Sequence, residues 1–183
     1  MKRFITILTL LASFSMAWAQ RTDFRNDLKI TFLSWGTGSS KISYERASWP
    51  DQTDEITFGL IRLGYDRFDN NPKGMTVRYA HKWIISEHDG MPLEGLYLRP
   101  ELVWSKYRYD SKNGGRTISD MCALFGTAGY QHIWKRLVMD GFIGLGPCIG
   151  NRADTYYQHG FITWKTTGAH LAFTFGMKLG AAF

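Results

Sequence analysis

Helical periodicity is missing from this sequence. Beyond residue 28 no segment of ten or more residues carries a capped helical stripe, which excludes helical and mixed folds. Cysteine is scarce, with two in 183 residues, so a disulfide scaffold is excluded. Only five prolines, 44% hydrophobic and 21% charged residues exclude collagen-like and disordered chains, and there is no internal repeat. The basic excess is small: a formal +6, falling to +4 once Lys2 and Arg3 leave with an export leader, is no argument for a nucleic-acid partner. What is abundant is aromatic side chain, 12 Phe, 9 Tyr and 7 Trp, beside 19 Gly, a mixture suited to strands and their bends.

The N-terminus reads as an export leader. Lys2 and Arg3 precede an apolar stretch from Phe4 to Phe14, and Ala17 and Ala19 supply small residues at a cleavage site before Gln20. A spanning helix needs about 20 apolar residues, and the polar residues from Gln20 to Asp23 arrive too early for that. Residues 1–19 are therefore expected to be a signal peptide and 20–183 the folded domain, with a net charge of +4 once Lys2 and Arg3 are lost.

From Leu28 onward apolar residues recur every second position, broken by Gly, Asn, Asp and Pro clusters. Eight strands are predicted, near 28–34, 39–47, 55–65, 74–83, 93–107, 117–131, 137–149 and 167–183, giving an all-β antiparallel up-and-down barrel. The last strand is clearest: Leu171, Phe173, Phe175, Met177, Leu179, Ala181 and Phe183 share one face, and the other is small or polar. Leu96, Leu98, Leu102 and Trp104 oppose Tyr97, Arg99 and Glu101 in the same way.

Two barrels fit this pattern. A secreted lipocalin-like barrel turns its apolar face inward around a ligand; a transmembrane barrel turns it out to lipid. Strands of about ten residues tilted near 40° rise about 25 Å, the height of an outer-membrane apolar band. The first strand also lacks a lipocalin Gly-x-Trp signature, having Trp35-Gly36-Thr37-Gly38 instead. The membrane alternative places Lys29, Glu45, Arg78, Arg99, Glu101 and Lys178, with Asp120 and Asp140 on the matching face of the next two strands, in a narrow lumen, where they are expected to form an ion-pair network. Gly126, Ala128, Gly144, Gly146, Gly176 and Gly180 are expected to be small inward positions beside them.

Strand three changes its apolar parity after Leu60, which suggests a bulge near Gly59. Pro100 and Pro147 each lack a ladder donor, so bulges or breaks are expected there. If the hairpin between strands six and seven is centred on Lys135, Cys122 and Cys148 lie opposite one another with inward parity, and either a cross-strand disulfide or two sheltered thiols would follow.

Asn26-Asp27-Leu28-Lys29, Ile42-Ser43-Tyr44-Glu45-Arg46 and Gly95-Leu96-Tyr97-Leu98-Arg99-Pro100-Glu101, with the terminal Phe183, resemble a domain-of-unknown-function family of small outer-membrane β-barrels. The resemblance spans the mature chain. It implies a Gram-negative cell outer-membrane location, insertion by the barrel-assembly machinery reading the aromatic Phe183, and no established catalytic residues.

With both termini on the periplasmic side, the outer loops have 4, 8, 9 and 17 residues and the opposite turns 7, 9 and 5. Tyr44, Tyr79, Trp83, Trp104, Trp134, Trp164 and Phe183 lie near strand ends, as interface girdles require. The outer loops carry Arg108, Lys112, Arg116, Arg152 and Lys165, which could contact lipopolysaccharide phosphates or an unknown surface partner, or simply be a solvated fringe beside anionic lipid.

Barrels of this size include lipid-A-modifying acylases and deacylases. Asp110, Ser111 and His159 could be written as a triad, but no Gly-x-Ser-x-Gly elbow or His-x-Ser pair positions them, and Ser111 sits in turn chemistry. His81, His88, His132, His159 and His170 have no ligand spacing, and the Asp66–Asn71 run lacks the Gly and closing Glu of a calcium loop, so no metal or cofactor is expected. The expectation is a non-enzymatic envelope structural or surface-interaction barrel with a plugged polar lumen, in contact with outer-membrane lipid.

Overall fold

The computed structural model describes residues 24–63, 71–87, 92–110, 115–151, 157–166 and 169–183. The expected leader and residues 66–70 of the calcium-like run lie outside them. Nine strands are present: β1 (Asn26–Thr31), β2 (Ser39–Trp49), β3 (Gln52–Ile61), β4 (Lys73–Glu87), β5 (Gly95–Asp110), β6 (Arg116–Trp134), β7 (Leu137–Gly150), β8 (Ile162–Thr166) and β9 (Ala169–Ala182), with a short 3-10 turn at Trp35–Thr37. Each of β1 to β6 pairs antiparallel with the next, β7 pairs with β9, and β9 pairs back onto β1. The result is a closed, eight-stranded, antiparallel barrel. Asn26 N–H donates to Phe183 O (3.1 Å) and Phe183 N–H to Asn26 O (2.9 Å) at the end of the seam. The last predicted strand corresponds to β9; β8, read from sequence as part of a loop, is a ninth, accessory strand paired with β9.

The staves alternate as a barrel requires. On β5, Tyr97, Arg99, Glu101, Val103 and Ser105 are buried inside, whereas Leu96, Leu98, Leu102 and Trp104 are exposed outside. The same holds around the circumference, where Leu28, Tyr44, Phe58, Tyr79, Leu124, Ile143 and Phe175 face outward. A lipocalin-like reading needs the reverse.

The turn at Lys135–Arg136 corrects β6. Two residues, with Lys135 in the left-handed region (φ 60°), join Trp134 to its partner Leu137. Opposite residue numbers therefore sum to 271 rather than 270, and one residue of register reverses every side chain on the strand. Ser119, Met121, Ala123, Phe125, Thr127 and Gln131 face inward; Asp120, Cys122, Gly126 and Ala128 do not. Gly144 and Gly176 keep inward positions on their own strands.

The disulfide fails for the same reason. Cys122 lies opposite Ile149, Cys148 opposite Ala123, and both are free thiols on different faces of the wall. Denatured, unreduced protein is expected to titrate with two thiols per chain; fewer would contradict this register.

No bulge occurs near Gly59. β3 keeps register with β4 throughout, strand pairing ends at Ile61, whose side chain is buried, and Arg62 then takes φ 122°. Irregularities fall instead between Ala47 and Trp49 and between Ile84 and Ser86. At Pro100 and Pro147 the ladders lapse for two residue pairs, on the β4 and β6 sides respectively, without a change of register. A missing donor thus interrupts the ladder but leaves it aligned.

Candidate functional site

The lumen is built from inward residues of every stave. β1 supplies Asp27 and Lys29, β2 Glu45, β3 Glu55, β4 Arg78 and Lys82, β5 Tyr97, Arg99 and Glu101, β6 Gln131, β7 Asp140 and β9 Lys178. Lys29 is wholly buried; its ammonium donates to Asp27 (3.0 Å), Gln131 Oε1 (2.9 Å) and Glu45, and lies 3.1 Å from Glu55. Lys82 reaches Glu45 at 2.7 Å and the same Gln131 oxygen at 3.0 Å. The Gln131 amide nitrogen in turn donates to Asp27 (3.0 Å).

Glu55 is the second hub, with Arg99 at 3.2 Å, Lys82 at 3.5 Å and Lys178 in direct contact. Arg99 also pairs with Glu101 at 3.0 Å, and Arg78 with Glu101 at 2.8 Å. Tyr97 donates its hydroxyl to Asp140 at 2.5 Å, and the Arg99 guanidinium stacks over the Phe142 ring at 4.6 Å. Pairing and hydrogen bonding compensate the cost of removing these charges from water. Because the partners come from all eight staves, the network also ties the barrel across its diameter.

Apolar layers close the charged zone above and below. Toward the termini, Phe24, Ala47, Leu93, Ile133, Val138 and Ala182 cluster. Toward the opposite mouth, Val103, Met121, Ala123, Phe125 and Cys148 meet Phe161, contributed by the segment before β8. That segment folds into the mouth instead of standing in solvent. The Gln158 side-chain oxygen accepts from Tyr107 (3.1 Å) and Ser119 (2.9 Å), and Gly160 O accepts from Arg78 (2.6 Å). His159 packs edge-on against Tyr107 and Tyr157.

Seven of the eight residues expected in the network are here: Lys29, Glu45, Arg78, Arg99, Glu101, Asp140 and Lys178. Asp120 is the exception. It points outward, 3.0 Å from Lys106, and accepts from Trp104 Nε1 at 2.9 Å. Asp27, Glu55, Lys82 and Gln131 were missed, although the parity set by Ile56, Phe58 and Leu60 already turns Glu55 inward, and that of Arg78 does so for Lys82.

At the rim opposite the termini, Arg108 and Arg116 are exposed on neighbouring β5 and β6, beside Lys106 and, on β4, Lys73. Lys165 is exposed on β8, and Lys112, Arg152 and Ser111 lie outside the described residues. Outward aromatics direct polar tips toward the barrel ends: Tyr44 to Asn26 and Tyr79 to Asp54, each at 2.7 Å, at one end, and Trp104 to Asp120 at the other.

The resemblance to a family of small barrels holds at the level of the eight-stranded antiparallel architecture. No protein-family model matches the chain, and no curated protein matches it in sequence. Among solved structures, the crystal structure of Neisserial surface protein A is similar in fold, with a TM-score of 0.48 and 12% identity over 87% of this chain and 95% of that one.

Proposed function

We propose that this chain is an outer-membrane β-barrel that acts as a non-enzymatic structural or surface-interaction component of the envelope. The observation that carries the reading is inversion: an ion-paired interior inside an apolar exterior that continues around all eight staves. Soluble monomers rarely expose contiguous apolar patches beyond a few hundred Å². Lipid makes that surface favourable and favours a sheet that closes on itself. Aromatics with their polar tips toward the barrel ends suit the two interfaces, and the outward bases at the loop rim suit the anionic headgroups of lipopolysaccharide.

A non-catalytic role is favoured by how the triad candidates are used. His159 Nδ1 donates to Thr37 O at 3.2 Å, and Asp110 accepts from Asn71 at 3.3 Å in an exposed position. These two hydrogen bonds thus engage a backbone carbonyl and a side-chain amide.

Fractionation tests the reading. The protein is expected in the outer-membrane fraction, migrating faster on gels when left unheated than after boiling. A soluble periplasmic pool with no heat-dependent shift would overturn it.

A further inference from the structure

The barrel wall has a gap. β7 occupies one edge of β9. On the other, β1 pairs up to Thr31 and Lys178, with a final bond from Phe32 N–H to Met177 O (3.0 Å), while β8 pairs only from Phe173 toward Ala169. Thr174, Phe175 and Gly176 lie between, so about 10 Å of edge has no strand of the described residues beside it. The far frame is formed where Tyr157 and His159 bond to Thr37 O and Ser39 Oγ donates to His159 O (3.4 Å).

A cavity of about 370 Å³ fills this gap, running from Phe173 and Phe175 outside to Lys41, Gly160 and Phe161 inside. A second, apolar cavity of about 570 Å³ lies on the outer face of β1 to β3 against Phe32, Ile42, Phe58 and Leu60. The two share Thr31, Leu33 and Lys41. Both volumes are in the range of small-molecule sites.

Lys41 gives the gap its chemistry. Among the described residues, the cations of the charged zone are Lys29, Arg78, Lys82, Arg99 and Lys178, with the half-buried Lys41 at the same inward parity on β2; the network carboxylates are Asp27, Glu45, Glu55, Glu101 and Asp140. Every one of these cations except Lys41 has an ion-pair partner. Lys41 makes no hydrogen bond or ion pair among the described residues. The charged groups around it are Arg78, Lys178 and Glu101, and Glu101 is already shared by Arg78 and Arg99. Its position is also built: Gly59 lies opposite Lys41, and a Cβ there would stand 2.8 Å from Lys41 Cγ and 2.5 Å from Thr76 Cγ2. A lumen that neutralises every other cation with a carboxylate leaves one ammonium open, beside an apolar passage to the outer surface.

We propose that this gap binds a long-chain fatty acid, its carboxylate on Lys41 and its chain running out through the gap into the apolar groove of β1 to β3. One negative charge matches the ammonium of Lys41, which has no partner among the described residues, and a single chain suits the width of the opening. This inference goes beyond the membrane reading and relies on it only for the route by which ligand arrives. A failed fractionation test would leave the binding measurement standing, and the reverse.

The probe is carboxyl-labelled palmitate, titrated by carbon-13 NMR into the protein purified in nonionic detergent. Saturable single-site binding is expected, at least tenfold tighter than that of hexadecanol. K41M should weaken palmitate binding at least tenfold, Gly59→Val should weaken it by crowding the lysine stem, and K106M, on the outer wall, should leave it unchanged. Hexadecanol binding as tightly as palmitate to the unmodified protein would overturn the proposal, as would no saturable binding. The headgroup comparison requires no variant. Retention of full affinity by a K41M protein that still shows heat-dependent migration would overturn it equally.

Discussion

Replacing Glu55 by alanine is expected to destabilise the folded barrel by about 3–5 kcal/mol, measured as a lower urea midpoint for unfolding in detergent. Glu55 is 3% exposed and accepts charge from Lys29, Lys82, Arg99 and Lys178, from four different staves. Its removal leaves four buried cations to share Asp27, Glu45, Glu101 and Asp140, and the penalty of an uncompensated buried charge exceeds the worth of the lost pair. E55A combined with Lys178→Met should recover part of the loss, since the second change removes one of the cations that the first leaves short of a partner. K41M is the contrast: it removes a lumen cation that holds no partner among the described residues, and stability should not fall. An E55A barrel as stable as the unmodified one would mean that the network contributes little to folding.

Much of this barrel could be read from alternation. β9 shows its faces plainly because Lys178, Thr174 and three small residues, Gly176, Gly180 and Ala182, fall on one side, and Phe173, Phe175 and Met177 on the other. β6 did not, because both of its faces are apolar near the mouth. Met121, Ala123 and Phe125 face inward to meet Phe161, while Ile118 and Leu124 face outward. With no polarity difference to fix the parity, the hairpin centre decided it, and a half-residue shift at Lys135–Arg136 carried Asp120 and Cys122 to the outer face.

The mouth was illegible for a different reason. Gln158 and Phe161 lie in a segment whose local sequence reads as loop, and only the closed barrel supplies Tyr107, Ser119 and Phe125 as their partners. Lys41 shares the inward parity of Ser43 and Glu45 on β2. That it has no partner is a property of the assembled lumen, set by where β1 ends and β8 begins.

An arginine on the outer face at mid-height should be as informative as one removed from the lumen. Ile143 is the middle of the outward run Leu137, Met139, Ile143, Leu145 and Ile149 on β7, is 61% exposed, and lies between Ala128 and Phe175 on the flanking staves. In a lipid-embedded barrel Ile143→Arg should cost about 2–4 kcal/mol, while Ile149→Arg, near the rim, should cost about 0–1 kcal/mol, because the penalty falls with distance from the bilayer midplane. Urea unfolding of barrels folded into lipid vesicles measures both. Neither variant touches the ion-paired interior, so a difference between them reports only the medium outside the wall. A soluble barrel would show no such depth dependence, and I143R would improve its solubility by breaking the apolar surface. Equal, near-zero effects at the two positions would therefore remove the physical basis for placing this exterior in lipid, whatever fraction the protein is recovered from.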